Sequence, residues 1–168
     1  NVRDERIINQ LLSTTAREVD SSEESATESG NSITGSFTTT GTASSTATLT
    51  GSDTNQTLAS TYTETTTDDA TTTRSGNNVT GDYTIDSSQT RQSVQVKTDR
   101  DQTLLVEATV SSTATTTTTG SGNSVTGSIT QTSTAISASA LAESVVNQSL
   151  EVTVTQDARG TQTTTTTS

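Results

Sequence analysis

A hexapeptide returns three times at one fixed interval, and that interval limits what the chain can become. It reads Gly-Asn-Ser-Ile-Thr-Gly from Gly30 to Gly35, Gly-Asn-Asn-Val-Thr-Gly from Gly76 to Gly81, and Gly-Asn-Ser-Val-Thr-Gly from Gly122 to Gly127, so successive copies start 46 residues apart. A second landmark, Asn/Asp-Gln-x-Leu, keeps the same interval at Asn9–Leu12, Asn55–Leu58, Asp101–Leu104 and Asn147–Leu150. Two landmarks in one phase, without insertions, mean that every unit passes the chain to the next in the same geometry. The units run 30–75, 76–121 and 122–168, and residues 1–29 read as the closing part of a unit whose front is missing.

Within a unit the apolar residues recur with period two, the period of a strand. A first strand is expected after the hexapeptide, carrying Ile33, Gly35 and Phe37, then Val79, Gly81, Tyr83 and Ile85, then Val125, Gly127 and Ile129. A middle strand carries Ala47 and Leu49, Val94 and Val96, and Ala140 and Leu141. A third follows Asn/Asp-Gln, with Leu58 and Tyr62, Leu104 to Val110, and Leu150 to Val154. Each unit closes on a Thr tract, and Thr is β-branched and suits a half-buried strand. The opening residues are ambiguous in isolation. Ile7, Ile8, Leu11, Leu12 and Ala16 fall at helical spacing, so a local helix competes with the strand that the repeat implies.

The glycines of the hexapeptide are the expected corners. Gly30, Gly76 and Gly122 are placed where the chain reverses with φ > 0. Gly35, Gly81 and Gly127 fall on the apolar phase of the first strand, as a bulge or a close backbone approach. The chain has no Pro, so every backbone N–H is free to join a ladder.

A unit has few large apolar side chains with which to offset the ordering of 46 residues. Neighbours must supply the difference, either as a continuous core along the array or as strands paired between chains. The expected fold is all-β: tandem repeats of about 46 residues forming an elongated β-solenoid-like array or a strand-exchanged β-fibre.

Composition removes most chemistry. There is no His or Cys, hence no triad built on either, no ordinary zinc site and no disulfide framework. A formal net charge of −11 opposes phosphate backbones, so nucleic acid is not an expected partner. No apolar run is long enough to span a membrane as a helix. The acidic residues Glu18, Asp20, Glu23, Glu24 and Glu28 cluster, which reads as a solvated face rather than a cation site.

Calcium has two weak candidates, Asp68-Asp69 and Asp99-Arg100-Asp101, both read as turn residues. No EF-hand loop or calcium-binding nonapeptide accompanies them. No cofactor is assigned. Lys97, the one lysine, is either an ordinary solvated side chain or the donor of an isopeptide bond. Carboxylate pairs that could cleave a glycosidic bond do not recur with the repeat, and no catalytic residue is expected.

Three Asn-x-Ser/Thr sequons, at Asn55, Asn78 and Asn147, are candidate N-glycosylation sites, and the Thr tracts are candidates for O-linked glycans. Phe37 and Tyr83 share one repeat position, which the third unit fills with Ile129, and read as core residues.

The hexapeptide Gly-Asn-Ser-Val-Thr-Gly followed by alternating Thr resembles the Thr/Ser-rich tandem repeats of very large bacterial surface proteins, especially planctomycete-type ones. The resemblance covers essentially the whole chain. It implies an extracellular, cell-surface or fibre-forming protein and brings no catalytic or binding residue with it. Other copies of the same chain are then the expected partners. A stalk or adhesin repeat that presents a binding domain elsewhere is the alternative.

Overall fold

The structure is a computed structural model that describes residues 1–9 and 12–167. It is all-β, an elongated array of tandem repeats. Eight strands form one antiparallel sheet in sequence order: β1 (Val2–Asn9), β2 (Leu12–Asn31), β3 (Ser36–Asn55), β4 (Leu58–Asn77), β5 (Asp82–Asp101), β6 (Leu104–Asn123), β7 (Ser128–Asn147) and β8 (Leu150–Thr167). Each strand pairs with the next, so the chain meanders up and down across the sheet. A 20-residue strand such as β3 extends roughly 66 Å at about 3.3 Å per residue.

Each 46-residue unit is therefore one long hairpin and its turns, not three short strands and a tract. The expected first and middle strands are a single strand, β3, β5 or β7. The third strand and the Thr tract are likewise one, β4, β6 or β8. Stretches such as Thr38–Thr46 show no apolar alternation, yet they are strand throughout. No Pro interrupts them, Ser and Thr tolerate extended backbone, and ladders on both sides satisfy their N–H and C=O groups. Alternation signals a strand only when one face is buried, and here neither face is.

The opening residues follow the repeat rather than the helical spacing. Val2–Asn9 is a strand, with Val2 opposite Val19 and Asn9 opposite Leu12. The first Asn-Gln landmark includes Gln10 and Leu11, which lie outside the described residues.

No apolar side chain is buried among the described residues. The continuous core expected along the array is absent, because a single-layer sheet has no inside. Cohesion comes from the backbone ladders and from side-chain pairs across strands. Partners in register share a face, which sorts the residues into two sets. One face holds Phe37, Tyr62 and Tyr83, and it is called the aromatic face here. The opposite face is dominated by hydroxyls: along β3, every second residue from Ser36 to Thr54 is Ser or Thr. Cross-strand hydroxyl pairs bridge it, among them Thr15–Ser52 at 2.8 Å, Ser25–Thr42 at 2.8 Å and Thr38–Ser75 at 3.3 Å.

On the aromatic face, glycine makes room for the rings. Phe37 stands opposite Gly76, Tyr83 opposite Gly122, and Tyr62 opposite Gly51. A Cβ on Gly76 would lie 2.9 Å from Phe37 Cε1, and one on Gly122 would lie 2.7 Å from Tyr83 Oη. The Tyr62 ring covers Gly51 the same way, in the manner that aromatic rings shield a glycine in the facing strand. Gly51→Val is expected to displace the Tyr62 ring and destabilise the sheet by about 1–3 kcal/mol. Gly41→Ala is the control, since nothing lies nearer than 4.0 Å to its Cβ position. It is expected to raise stability by about 0.5 kcal/mol by restricting the unfolded chain. Urea denaturation followed by circular dichroism separates the two.

Candidate functional site

The repeated landmarks sit at the two ends of the strands, and each builds a turn of its own kind. At one end the Asn-Gln landmark is a two-residue turn. Gln56, Gln102 and Gln148 take φ of 45°, 50° and 54°, the left-handed region that costs a non-glycine residue about 1 kcal/mol. At the other end the hexapeptide forms a four-residue turn closed by Asn. Asn31 Oδ1 accepts the N–H of Ile33 at 2.9 Å and of Thr34 at 3.1 Å, and the Gly35 N–H donates to the Asn31 carbonyl at 2.8 Å. Asn77 and Asn123 repeat the arrangement for the later copies.

The positive φ falls on the second glycine of each hexapeptide, at 76° for Gly35, 82° for Gly81 and 78° for Gly127. Gly30, Gly76 and Gly122 are strand residues just before the turn. The expected roles of the two glycines are thus exchanged. The turn is built by the Asn side chain, so reversal ends on the residue four places later. The first glycine serves the neighbouring strand, where Phe37 and Tyr83 need its missing side chain. Ile33, Val79 and Val125, expected within strands, are turn residues exposed at 92%, 72% and 75%.

The hexapeptide turns also bind one another. The Gly35 carbonyl accepts the Asn78 N–H at 2.8 Å, and the Gly81 carbonyl accepts the Ser124 N–H at 2.9 Å. Asn77 Nδ2 donates to Thr34 O and Asn123 Nδ2 to Thr80 O, each at 3.0 Å. The ladder of the sheet thus continues through its turns. Gly35 and Gly81 are buried beneath the next turn, whereas Gly127, last in the row, is exposed.

The sequons lie on these turns. Asn55 and Asn147 end β3 and β7, and Asn78 opens the second hexapeptide turn; all three are exposed. Asn78 uses its backbone N–H to join the preceding turn.

The charged candidates are dispersed. Asp68 and Asp69 are consecutive mid-strand residues of β4, not turn residues, and so project to opposite faces and cannot converge on one ion. Gln89 Nε2 donates to both Asp68 oxygens at 3.0 and 3.1 Å. Asp99 and Asp101 also lie in β5 rather than in a turn. Of the acidic cluster, Glu18, Asp20, Glu24 and Glu28 share the aromatic face of β2, and Glu23 lies on the other.

Lys97 Nζ bonds Asp99 Oδ2 at 2.7 Å on the surface of β5. That bond, with one from Ser60, holds the Asp99 carboxyl below its ordinary value of 3.8. An isopeptide bond to Asp99 would need its carboxyl protonated, and the lowering disfavours that form. The Asp82 carboxyl is lowered too, by hydrogen bonds from Asn123 and Thr80. Carboxyls lowered on folding add stability that is present above the unfolded value and is lost as pH falls through the folded one. The melting temperature is therefore expected to fall as the pH drops below about 4. Asp99→Asn should flatten that acid limb in thermal melts recorded across pH.

Arg74 lies over two rings, 5.3 Å from the Phe37 centroid and 4.6 Å from the Tyr83 centroid. The expected core position at Phe37, Tyr83 and Ile129 is instead a half-buried surface row held by this cation and the glycines opposite. Apolar side chains gather at the Asn-Gln end of the same face, where Leu104, Val106, Val145, Leu150 and Val152 run across β6, β7 and β8. Leu104, Leu150 and Val152 are exposed there.

No group of three or more Asp or Glu able to hold a metal ion occurs among the described residues. No helix there is long and apolar enough to cross a membrane. No family model matches the chain, and no curated protein matches its sequence. What the geometry offers is two broad exposed faces, a row of bonded turns and two sheet edges.

Proposed function

We propose that this chain is a structural repeat protein whose 46-residue units build an extracellular filament, sheath or surface layer, without catalysis. One observation carries the reading: the repeat makes a single-layer sheet that grows by equivalent hairpins and, among the described residues, buries no apolar side chain. A fold without a core supplies no enclosed site, and its surface recurs at every unit, which suits a scaffold.

Glycans fit the same reading. Asn55, Asn78 and Asn147 are exposed at turns, and the hydroxyl face presents Ser and Thr over most of its area. Sugar there would solubilise the exposed hydroxyl face.

Negative-stain electron microscopy and light scattering of the purified chain test the scaffold. Filaments or sheets that thicken with concentration are expected. Monodisperse 17.3 kDa monomers at every concentration would overturn it and favour a stalk. A fall in mass when material from the native host is treated with deglycosylating enzymes tests the glycans.

A further inference from the structure

The aromatic face is not uniform, and its unevenness does not follow the repeat. From β2 to β5 it carries charged residues on every strand, among them Glu18, Glu28, Asp53, Glu64, Arg91 and Asp99. Across β6, β7 and β8 it carries one, Glu143. Equivalent positions differ in kind. Asp53 and Asp99 are matched by Val145, Glu64 by Val110 and Gln156, and Arg91 by Ser137. The result is a nearly uncharged patch. The apolar strip from Leu104 to Val152 fills its Asn-Gln end, and Val110, Leu141 and Val154 extend it inward. Farther along, Ser112, Ala114, Ser137, Ser139, Ala158 and Gly160 are small enough to leave a shallow hollow of about 350 Å³.

We infer that this patch is the contact between two copies of the chain, which pack β6–β8 of one sheet face to face on β6–β8 of the other. The inference rests on the scaffold reading above and names the surface through which copies meet. Area supports it. The chain exposes 11373 Å², where a compact protein of 17.3 kDa exposes roughly 7,800 Å². The single sheet is thus short of a second layer. β6, β7 and β8 have 20, 20 and 18 residues. They cover roughly 900 Å² at about 3.3 Å per residue and about 4.8 Å between strands. Two copies then bury on the order of 1,800 Å², the size of a standard stable interface.

Charge selects the occupant. A chain of net charge −11 repels its own copies wherever acids face acids, and this patch is where they do not. A cationic partner would find only Glu143 to pair with on it. A lipid surface is disfavoured, because the chain has no Trp to anchor at the headgroups and its net charge opposes anionic ones. A second copy presents an equally flat and equally uncharged surface, and facing sheets pack about 10 Å apart with their side chains interleaved. Such a contact is two-fold and self-complementary. It covers Val110, Leu150, Val152 and Val154, which are solvent-exposed in one molecule, and it leaves the hydroxyl face outward.

Charge returned to the patch tests the pairing. Ser112 and Ala158 are exposed on it, each opposite Ser139, so neither sits directly against a charge. Ser112→Glu/Ala158→Glu is expected to weaken self-association in sedimentation velocity by about 100-fold or more. Ser112→Lys/Ala158→Lys should do the same. An equimolar mixture of the two variants should regain a species of twice 17.3 kDa, because opposite charges then face each other. A misfolded variant would not be rescued in this way. Thr113→Glu/Thr161→Glu puts the same charges on the hydroxyl face of β6 and β8 and should associate as the unmodified chain does. Patch variants that associate like the unmodified chain, or that dissociate without rescue on mixing, would overturn the face contact and leave the scaffold standing. So would an equal or larger loss from the hydroxyl-face control. Unmodified chains that stay monomeric at every concentration would overturn both readings, and their flotation with phosphatidylcholine vesicles would assign the patch to a lipid surface.

Discussion

Gly81→Val is expected to be the most damaging single substitution in the turn row, lowering stability by about 3–5 kcal/mol. Two costs combine. Gly81 has φ of 82°, a conformation that a β-branched residue resists strongly. A Cβ there would also lie 2.7 Å from Val125 Cγ2 and 3.0 Å from the Val125 backbone nitrogen, so the next turn would have to lift away. Lifting it would break the bond between the Ser124 N–H and the Gly81 carbonyl. Gly127 separates the two costs. Its φ is nearly the same at 78°, but nothing lies within 4 Å of its Cβ position. Gly127→Ala should therefore show only the conformational term, about 1 kcal/mol. Gly81→Ala should exceed it by the cost of unstacking. Equal losses from the two alanine variants in urea denaturation would mean that the turns do not bear on one another.

Asn123→Ala is expected to lower stability by about 2–3 kcal/mol, the second-largest effect. The side chain satisfies the N–H groups of Val125 and Thr126 within its own turn, at 2.8 and 3.0 Å. It also donates to the Thr80 carbonyl of the preceding turn at 3.0 Å and to Asp82 Oδ1 at 2.7 Å. Asn31 makes the same two bonds within its turn and, among the described residues, none to a second turn. Asn31→Ala should cost about 1–1.5 kcal/mol, the value of a lost Asn cap. Hydrogen exchange adds a readout that global stability lacks. In Asn123→Ala, protection should fall at the Ser124 amide, which bonds the neighbouring turn. Unchanged protection there would confine the role of Asn123 to its own turn.

Both predictions concern residues that the sequence marks plainly, and they show how far the marking reached. The 46-residue phase, the all-β class and the strand at Val2–Asn9 were legible because a repeat must place equivalent residues equivalently. The hexapeptide was legible as a chain reversal. Which of its glycines takes φ > 0 was not, because that depends on the Asn side chain bonding forward and displacing the reversal to the end of the motif. Gly30, Gly76 and Gly122 read as turn residues because turns are the commonest local use of glycine. Their use here, making room for Phe37 and Tyr83 of neighbouring strands, is a cross-strand relation with no local trace. The left-handed Gln56, Gln102 and Gln148 were equally hidden, since Gln carries no turn preference of its own.

The sequons, the Asp pairs and Lys97 had their chemical types in plain view, but the strand pairing decides where they stand. Asp68 and Asp69 separate to opposite faces because consecutive strand residues must. Lys97 meets Asp99 because residues two apart on a strand share a face.

The sequence by itself determined the unit, its phase and the absence of His and Cys chemistry, for these depend only on residue identity and spacing. Tertiary structure alone decided that two strands of 18 or 20 residues, rather than three short ones, make each unit, and that the units lie side by side in one layer. The physical reason is that Ser and Thr satisfy a strand without declaring a buried face. Pairing partners distant in sequence therefore set strand length, sheet order and the two exposed faces.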